Sequence, residues 1–214
     1  MSAPRPQMMP PLELLRALPE ALARLERTRV PLRADLELWL LSREVDLETA
    51  CWQLADLPAP PYWAFCWAAG QALAHHLGRH PEKVRGRRVV DLGTGSGVAA
   101  LAAARAGAGW VVAVDSDAAA RRAASANAEL NGLEIEVSAS IPTDWDVLLA
   151  ADVLYEPGLR QTLAGARRPG RQLLVADPRR HPTHRCEGRP LETLEARTLP
   201  DVDPPQRAVV LWSR

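Results

Sequence analysis

The sequence predicts an α/β fold built on a doubly wound, mostly parallel sheet, with a helical extension over residues 1–60. Three observations carry this. An apolar run at 88–92 ends in the turn Gly93-Thr94-Gly95-Ser96-Gly97 and passes into an alanine-rich helix. Strand-type and helix-type runs then alternate to about residue 176, which signals parallel strands with helices on both faces. Ahead of them, Leu15, Leu18, Leu22 and Leu25 recur at helical spacing.

In chain order, Pro19 opens a second helix, and residues 34–42 and 46–54 continue the helical character with Asp46 as an N-cap. Pro58, Pro60 and Pro61 break the chain, so we divide it into an extension (1–60) and a main domain (61–214). From Tyr62 a helix is expected with Trp63, Trp67 and Gln71 on one face, and His75-His76 toward solvent. The core then reads as strand 88–92, helix 98–106, strand 110–115, helix 118–130 closed by Asn131-Gly132, and strands 134–138 and 146–150. A helix at 157–166, a strand at 172–176, a short helix at 191–195 and a strand at 208–212 complete it.

Composition narrows the function classes. The 214 residues carry 26 basic and 26 acidic side chains, so no net field draws the protein to nucleic acid or an anionic membrane, and neither is expected as a partner. Cys51, Cys66 and Cys186 are an odd set without C-x-x-C spacing, which points to free thiols in a reducing compartment. The start lacks an apolar signal segment and no stretch is long and apolar enough to span a membrane; the expected location is the cytoplasm, or the mitochondrial matrix in a eukaryote. His181, His184 and Cys186 offer soft ligands but no fourth at fixed spacing, so no metal is expected. Arg179, Arg180, Arg185 and Arg189 form a basic loop, either solvated or docking an acidic protein surface.

The glycine turn carries the chemistry. Glycine adopts positive φ freely and lets a ligand lie against bare backbone, while the next helix offers unpaired N–H groups. The G-x-G-x-G spacing departs from the G-x-G-x-x-G of dinucleotide sites and favours a ligand without a pyrophosphate. Asp115 lies 18 residues beyond Gly97 at the next strand's end, where a carboxylate can accept both ribose hydroxyls. Ligands of doubly wound sheets bind at the carboxyl ends of strands, which also places 151–155 and Asp177 at the crevice.

D-L-G-T-G-S-G followed by V-V-A-V-D resembles motifs I and II of the class I S-adenosylmethionine-dependent methyltransferases. D-V-L-Y at 152–155 resembles the D-x-x-Y motif of the seven-strand protein lysine methyltransferases, methyltransferase family 16. With P-Y-W-A-F-C-W-A-A-G-Q-A-L, A-N-A-E-L-N and L-V-A-D-P-R-R in order over about residues 60–180, the chain is most similar within that group to the electron-transfer-flavoprotein β-subunit lysine methyltransferases. The resemblance implies a Rossmann-like, seven-stranded fold, S-adenosylmethionine as cofactor and a protein lysine as substrate, the electron transfer flavoprotein β subunit being the implied partner. It further implies Trp67, Asp91, Gly93, Gly95, Gly97, Asp115, Ser116 and Ala151 as cofactor contacts, with Asp152 and Tyr155 facing the lysine.

Some readings stay open. Trp63 and Trp67 also suit a core, Asp152 an N-cap for the next helix, Tyr155 packing, and Asp177 a turn. The adenine partner is open among Ser140, Ile141 and Trp145 on a short loop, and Val153-Leu154 depart from the family pattern inside D-x-x-Y. Rival functions are methylation of a ribosomal protein or small amine, a non-catalytic cofactor-binding module, and a nicotinamide oxidoreductase.

Overall fold

The structure is a computed structural model, which describes residues 9–46, 60–178, 189–202 and 207–213. Seven strands form one sheet in the order β5-β4-β3-β6-β7-β9-β8: β3 (Arg88–Leu92), β4 (Trp110–Val114), β5 (Glu136–Ser138), β6 (Val147–Ala151), β7 (Gln172–Asp177), β8 (Arg189–Ala196) and β9 (Arg207–Ser213). Neighbours from β5 to β7 pair in parallel, and β9 lies antiparallel to both β7 and β8. The expected mostly parallel, seven-stranded sheet is therefore present.

Alternating residues of the strands feed two cores, as the period of two requires. Val89, Val111, Ala113, Val147, Leu149 and Leu174 pack toward α2 (Ala68–Arg79) and α3 (Val98–Arg105). Val90, Leu92, Val112, Val114, Leu148 and Val175 pack on the other face with Trp145 and with Leu163 of α5 (Pro157–Gly165). The remaining long helix, α4 (Ala118–Asn131), starts at an Asp117 cap that accepts from Ala119 N and ends at Gly132 in the left-handed conformation.

The N-terminal segment departs from the expected helices. Only α1 (Leu12–Arg16) and a 3-10 turn after Pro19 are helical; β1 (Leu25–Val30) and β2 (Arg33–Leu41) form an antiparallel hairpin. In β2, Leu36, Leu38 and Leu40 enter one core while Trp39 and Leu41 enter another with α1 and α4. Burial on both faces turns period-two spacing into a continuous apolar run, which hides the strand. The helix expected at 46–54 lies almost wholly outside the described residues.

The outward edge of β2 is closed by two asparagines of α4. Asn127 Oδ1 accepts from Trp39 N at 2.7 Å, and Asn131 accepts from Glu37 N at 3.0 Å and donates to Glu37 O at 2.6 Å. Since the two are four apart on a helix, they meet alternate outward residues of the strand. Asn127 also donates to Ser96 O at 2.9 Å, tying hairpin, helix and glycine turn together.

Three further expectations are corrected. The 191–195 segment is strand β8, because pairing with β9 overrides a leucine spacing of three that suits a helix. The helix expected from Tyr62 begins only at Ala68: Tyr62–Ala64 is a 3-10 turn and Trp67 is the α2 N-cap, so Trp63 and Trp67 share no helix face. His76 is 3% exposed rather than solvated, its Nδ1 2.9 Å from Glu192 Oε2, and burial holds its pKa below the ordinary value against the pull of that carboxylate. Among the described residues no helix is long and apolar enough to cross a membrane.

Candidate functional site

One cleft of about 940 Å³ opens along the carboxyl ends of the parallel strands, a size that suits a cofactor-sized ligand. Leu92 and Gly93 after β3, Val114 and Asp115 after β4, Ala139 after β5, Ala151 and Asp152 at β6, and Asp177 at β7 all line it. Parallel strands deliver these ends to one edge without further folding information.

The glycine turn is held from behind. Gly93, Gly95 and Gly97 have φ of +70°, +51° and +84°. Gly95 faces open space: a Cβ there would meet nothing within 4 Å. Gly97 instead backs onto α4, where a Cβ would stand 3.0 Å from Ala124 Cα. Asp91 is 2% exposed, and one of its oxygens accepts from Thr94 Oγ1 at 2.6 Å and Ala100 N at 3.2 Å. Burial pushes its carboxyl up to about 6 against the pull of those two donors. Asp91 and Gly97 are absent from the lining of the cleft, and both support the turn from behind.

Asp115 spans turn and strand, accepting from Gly95 N at 3.0 Å through Oδ2 and from Asp117 N at 3.0 Å through Oδ1. Each oxygen keeps a lone pair for a ligand hydroxyl. Ser116 lines the cleft beside it. Trp67 also lines the cleft, with its Nε1 donating to Tyr62 O at 3.0 Å and its ring set edge-on to Tyr62 at 5.8 Å. Of the three adenine candidates only Ile141 reaches the cleft, with Ala139; Trp145 is buried under the Arg171 guanidinium.

Asp152 and Tyr155 line the same cleft. Asp152 has φ of +57°, a conformation that costs a residue with a Cβ about 1 kcal/mol or more and that marks functional sites. Its N–H donates to Ala176 O at 3.0 Å, so the pairing of β6 with β7 holds it in place. The cap of α5 is Glu156, which accepts from Gly158 N at 3.1 Å; Asp152 is therefore not that cap. Tyr155 is 54% exposed, and its phenol is raised above the ordinary value by partial burial and then by Tyr62, Asp152, Asp115 and Glu156 nearby.

The charge of the lining is one-sided. Asp115, Asp117, Asp152, Glu156 and Asp177 line the cleft, and no lysine, arginine or histidine among the described residues does. Such a cleft attracts cations and repels phosphates. Asp177 is buried at the wall rather than sitting in an exposed turn. Sequence reading missed Tyr62, Asp117 and Glu156; the two acids lie beside residues it did select, and that proximity was the available signal. His181, His184, Cys186 and the arginines at 179, 180 and 185 lie outside the described residues.

Residues 76–156 match the family described as ribosomal protein L11 methyltransferase (PrmA). The chain is 35% identical to the electron transfer flavoprotein beta subunit lysine methyltransferase of Xenopus laevis over 72% of its own length and 67% of the relative's. It is 41% identical to the protein of that name from Danio rerio, over 56% of this chain and 51% of that one. It thus spans about two thirds of the frog relative and about half of the fish one. A solved structure of a putative RNA methyltransferase from Pyrococcus horikoshii aligns over 78% of this chain and 96% of that one, with a TM-score of 0.53 at 16% identity, a likeness of fold.

Proposed function

The chain belongs to the family of the electron transfer flavoprotein beta subunit lysine methyltransferases, and from that premise we propose that its cleft holds S-adenosylmethionine and methylates lysine side chains of an electron transfer flavoprotein β subunit. The observation that carries the reading is the acid-lined cleft without a basic residue among its described lining. A sulfonium cofactor and an alkylammonium substrate are both cations, whereas an RNA substrate or a pyrophosphate cofactor would meet five carboxylates.

The residues present suit that cofactor. Open space over Gly95 lets an adenosyl group lie on bare backbone, Asp115 has lone pairs for ribose hydroxyls, and Trp67, Ala139 and Ile141 supply apolar walls. When bound, S-adenosylmethionine supplies a methyl carbon on a cationic sulfur. The work left to the protein is positional: hold the amine in line, exclude water and take a proton. Asp152 and its neighbouring acids draw the ammonium in. The neutral amine, whose lone pair is the nucleophile, forms when the ammonium gives its proton to a lining carboxylate or to solvent.

The match of residues 76–156 to the ribosomal protein L11 methyltransferases favours a second reading, a ribosomal protein as substrate. One experiment separates the two. The protein is incubated with methyl-labelled S-adenosylmethionine and either purified electron transfer flavoprotein or purified ribosomes, and the labelled residue is located by mass spectrometry. Label on a lysine of the flavoprotein β subunit supports the proposal. Label only on a ribosomal protein, or only on a small molecule, overturns it.

A further inference from the structure

A second cluster of chemistry-bearing side chains lies at the far end of α2, about 18 Å along the helix from the Trp67 cap at the cleft. His76 stands in the last turn of α2, His80 is its C-cap, and Glu192 reaches over from β8. One potential ligand atom from each lies within 4.8 Å of the other two. We propose that His76, His80 and Glu192 form a zinc-type divalent metal site that fastens the sheet-edge strand β8 to α2.

The geometry of His76 points to a ligand. Its side chain is buried, its Nδ1 lies 2.9 Å from Glu192 Oε2, and its Nε2 is buried with no hydrogen-bond partner among the described residues. Native proteins seldom leave such an atom unpaired, because its lost hydration is not recovered. A buried imidazole nitrogen left bare beside a second imidazole and a carboxylate has the capacity to bind a metal ion. The His80 ring lies 4.6 Å from the His76 ring, with its Nδ1 3.4 Å from Glu82 Oε1.

The donor set chooses the class of ion. Two imidazoles and a carboxylate suit zinc and its later first-row neighbours, while calcium and magnesium prefer all-oxygen shells. Tetrahedral zinc holds donors about 3.3 Å apart, so the group must draw in by about an ångström or so. His80 and Glu192 are only partly buried and have room to do so. Arg79, 3.7 Å from Glu192 Oε1, is mostly exposed and free to turn outward. The negative end of the α2 dipole further favours a cation here.

The test uses the full chain without an affinity tag, freed of metal, titrated with zinc chloride by calorimetry and melted with and without the ion. One zinc per chain with micromolar or tighter affinity is expected, raising the melting temperature by about 5 °C at a hundredfold excess over the dissociation constant. His76 is buried and its loss threatens folding, so the decisive variants are His80→Ala and Glu192→Gln, each expected to weaken binding about tenfold or more. The combined variant His181→Ala, His184→Ala, Cys186→Ala is expected to bind as the parent does. The proposal is overturned by the absence of saturable zinc binding, by unchanged binding in both decisive variants, or by loss of binding in the combined variant.

Discussion

Replacing Gly95 and Gly97 one at a time by alanine separates the two duties assigned to the glycine turn. Both have left-handed φ, +51° and +84°, so each alanine carries a backbone cost of about 1–2 kcal/mol. At Gly97 the new Cβ also stands 3.0 Å from Ala124 Cα and Cβ, atoms that move only if α4 moves, which adds about 1–3 kcal/mol of overpacking. Gly97→Ala should therefore lower unfolding free energy by about 2–5 kcal/mol and Gly95→Ala by only about 1–2 kcal/mol. The order reverses for binding. The Gly95 Cβ projects into space over a residue that lines the cleft, so Gly95→Ala should weaken S-adenosylhomocysteine about tenfold or more, or about 1.4 kcal/mol. Urea unfolding and calorimetric titration read the two quantities separately. Equal stability losses would refute the close approach of turn and helix, and parental affinity in Gly95→Ala would refute the cradle.

Asn127→Ala leaves Trp39 N and Ser96 O unpaired in a buried place, and should cost about 2–4 kcal/mol in urea unfolding; a loss under about 1 kcal/mol would remove Asn127 as the clamp on β2. Burial pushes the Asp91 carboxyl from its ordinary 3.8 up to about 6 in the folded state, so between these values the folded state binds the proton and the unfolded state does not. Its contribution therefore declines as pH rises from about 4 to about 7, by up to about 3 kcal/mol. Asp91→Asn should lack that slope, and parallel stability–pH curves for parent and variant would contradict the assignment. Asp152→Asn should lower kcat for methyl transfer by about a hundredfold or more while leaving S-adenosylhomocysteine affinity within about twofold; a loss of cofactor affinity with kcat intact would reverse its role.

Much of this architecture was readable because the central strands are short apolar runs, and runs buried on both faces belong to parallel sheets. The strand ends, and with them Gly93, Gly95, Asp115, Ala151, Asp152 and Tyr155, followed from that reading. The hairpin did not. Its leucines and tryptophan are buried on both sides, so no alternation survives to distinguish strand from helix, and its outer edge is satisfied by Asn127 and Asn131 from far along the chain. Long-range pairing decided β8 in the same way, since Leu191 and Leu194 suit a helix until β9 lies beside them. Within the site, motif position did not tell which residues touch the cleft: Gly97 packs on α4 and Asp91 holds the turn. Tyr62 and Trp67 reach it from the chain entering α2, where a 3-10 turn replaces the expected helix.

In the proposed complex, bare backbone at Gly95 and the Asp115 carboxylate hold the adenosyl end of S-adenosylmethionine. Calorimetric titration of the parent and of Asp115→Asn, with NADH as the competing ligand class, tests it most directly. One S-adenosylmethionine per chain is expected, bound about tenfold or more weakly in the variant, with no NADH binding. Equal affinity in parent and variant, or saturable NADH binding without S-adenosylmethionine binding, would contradict it.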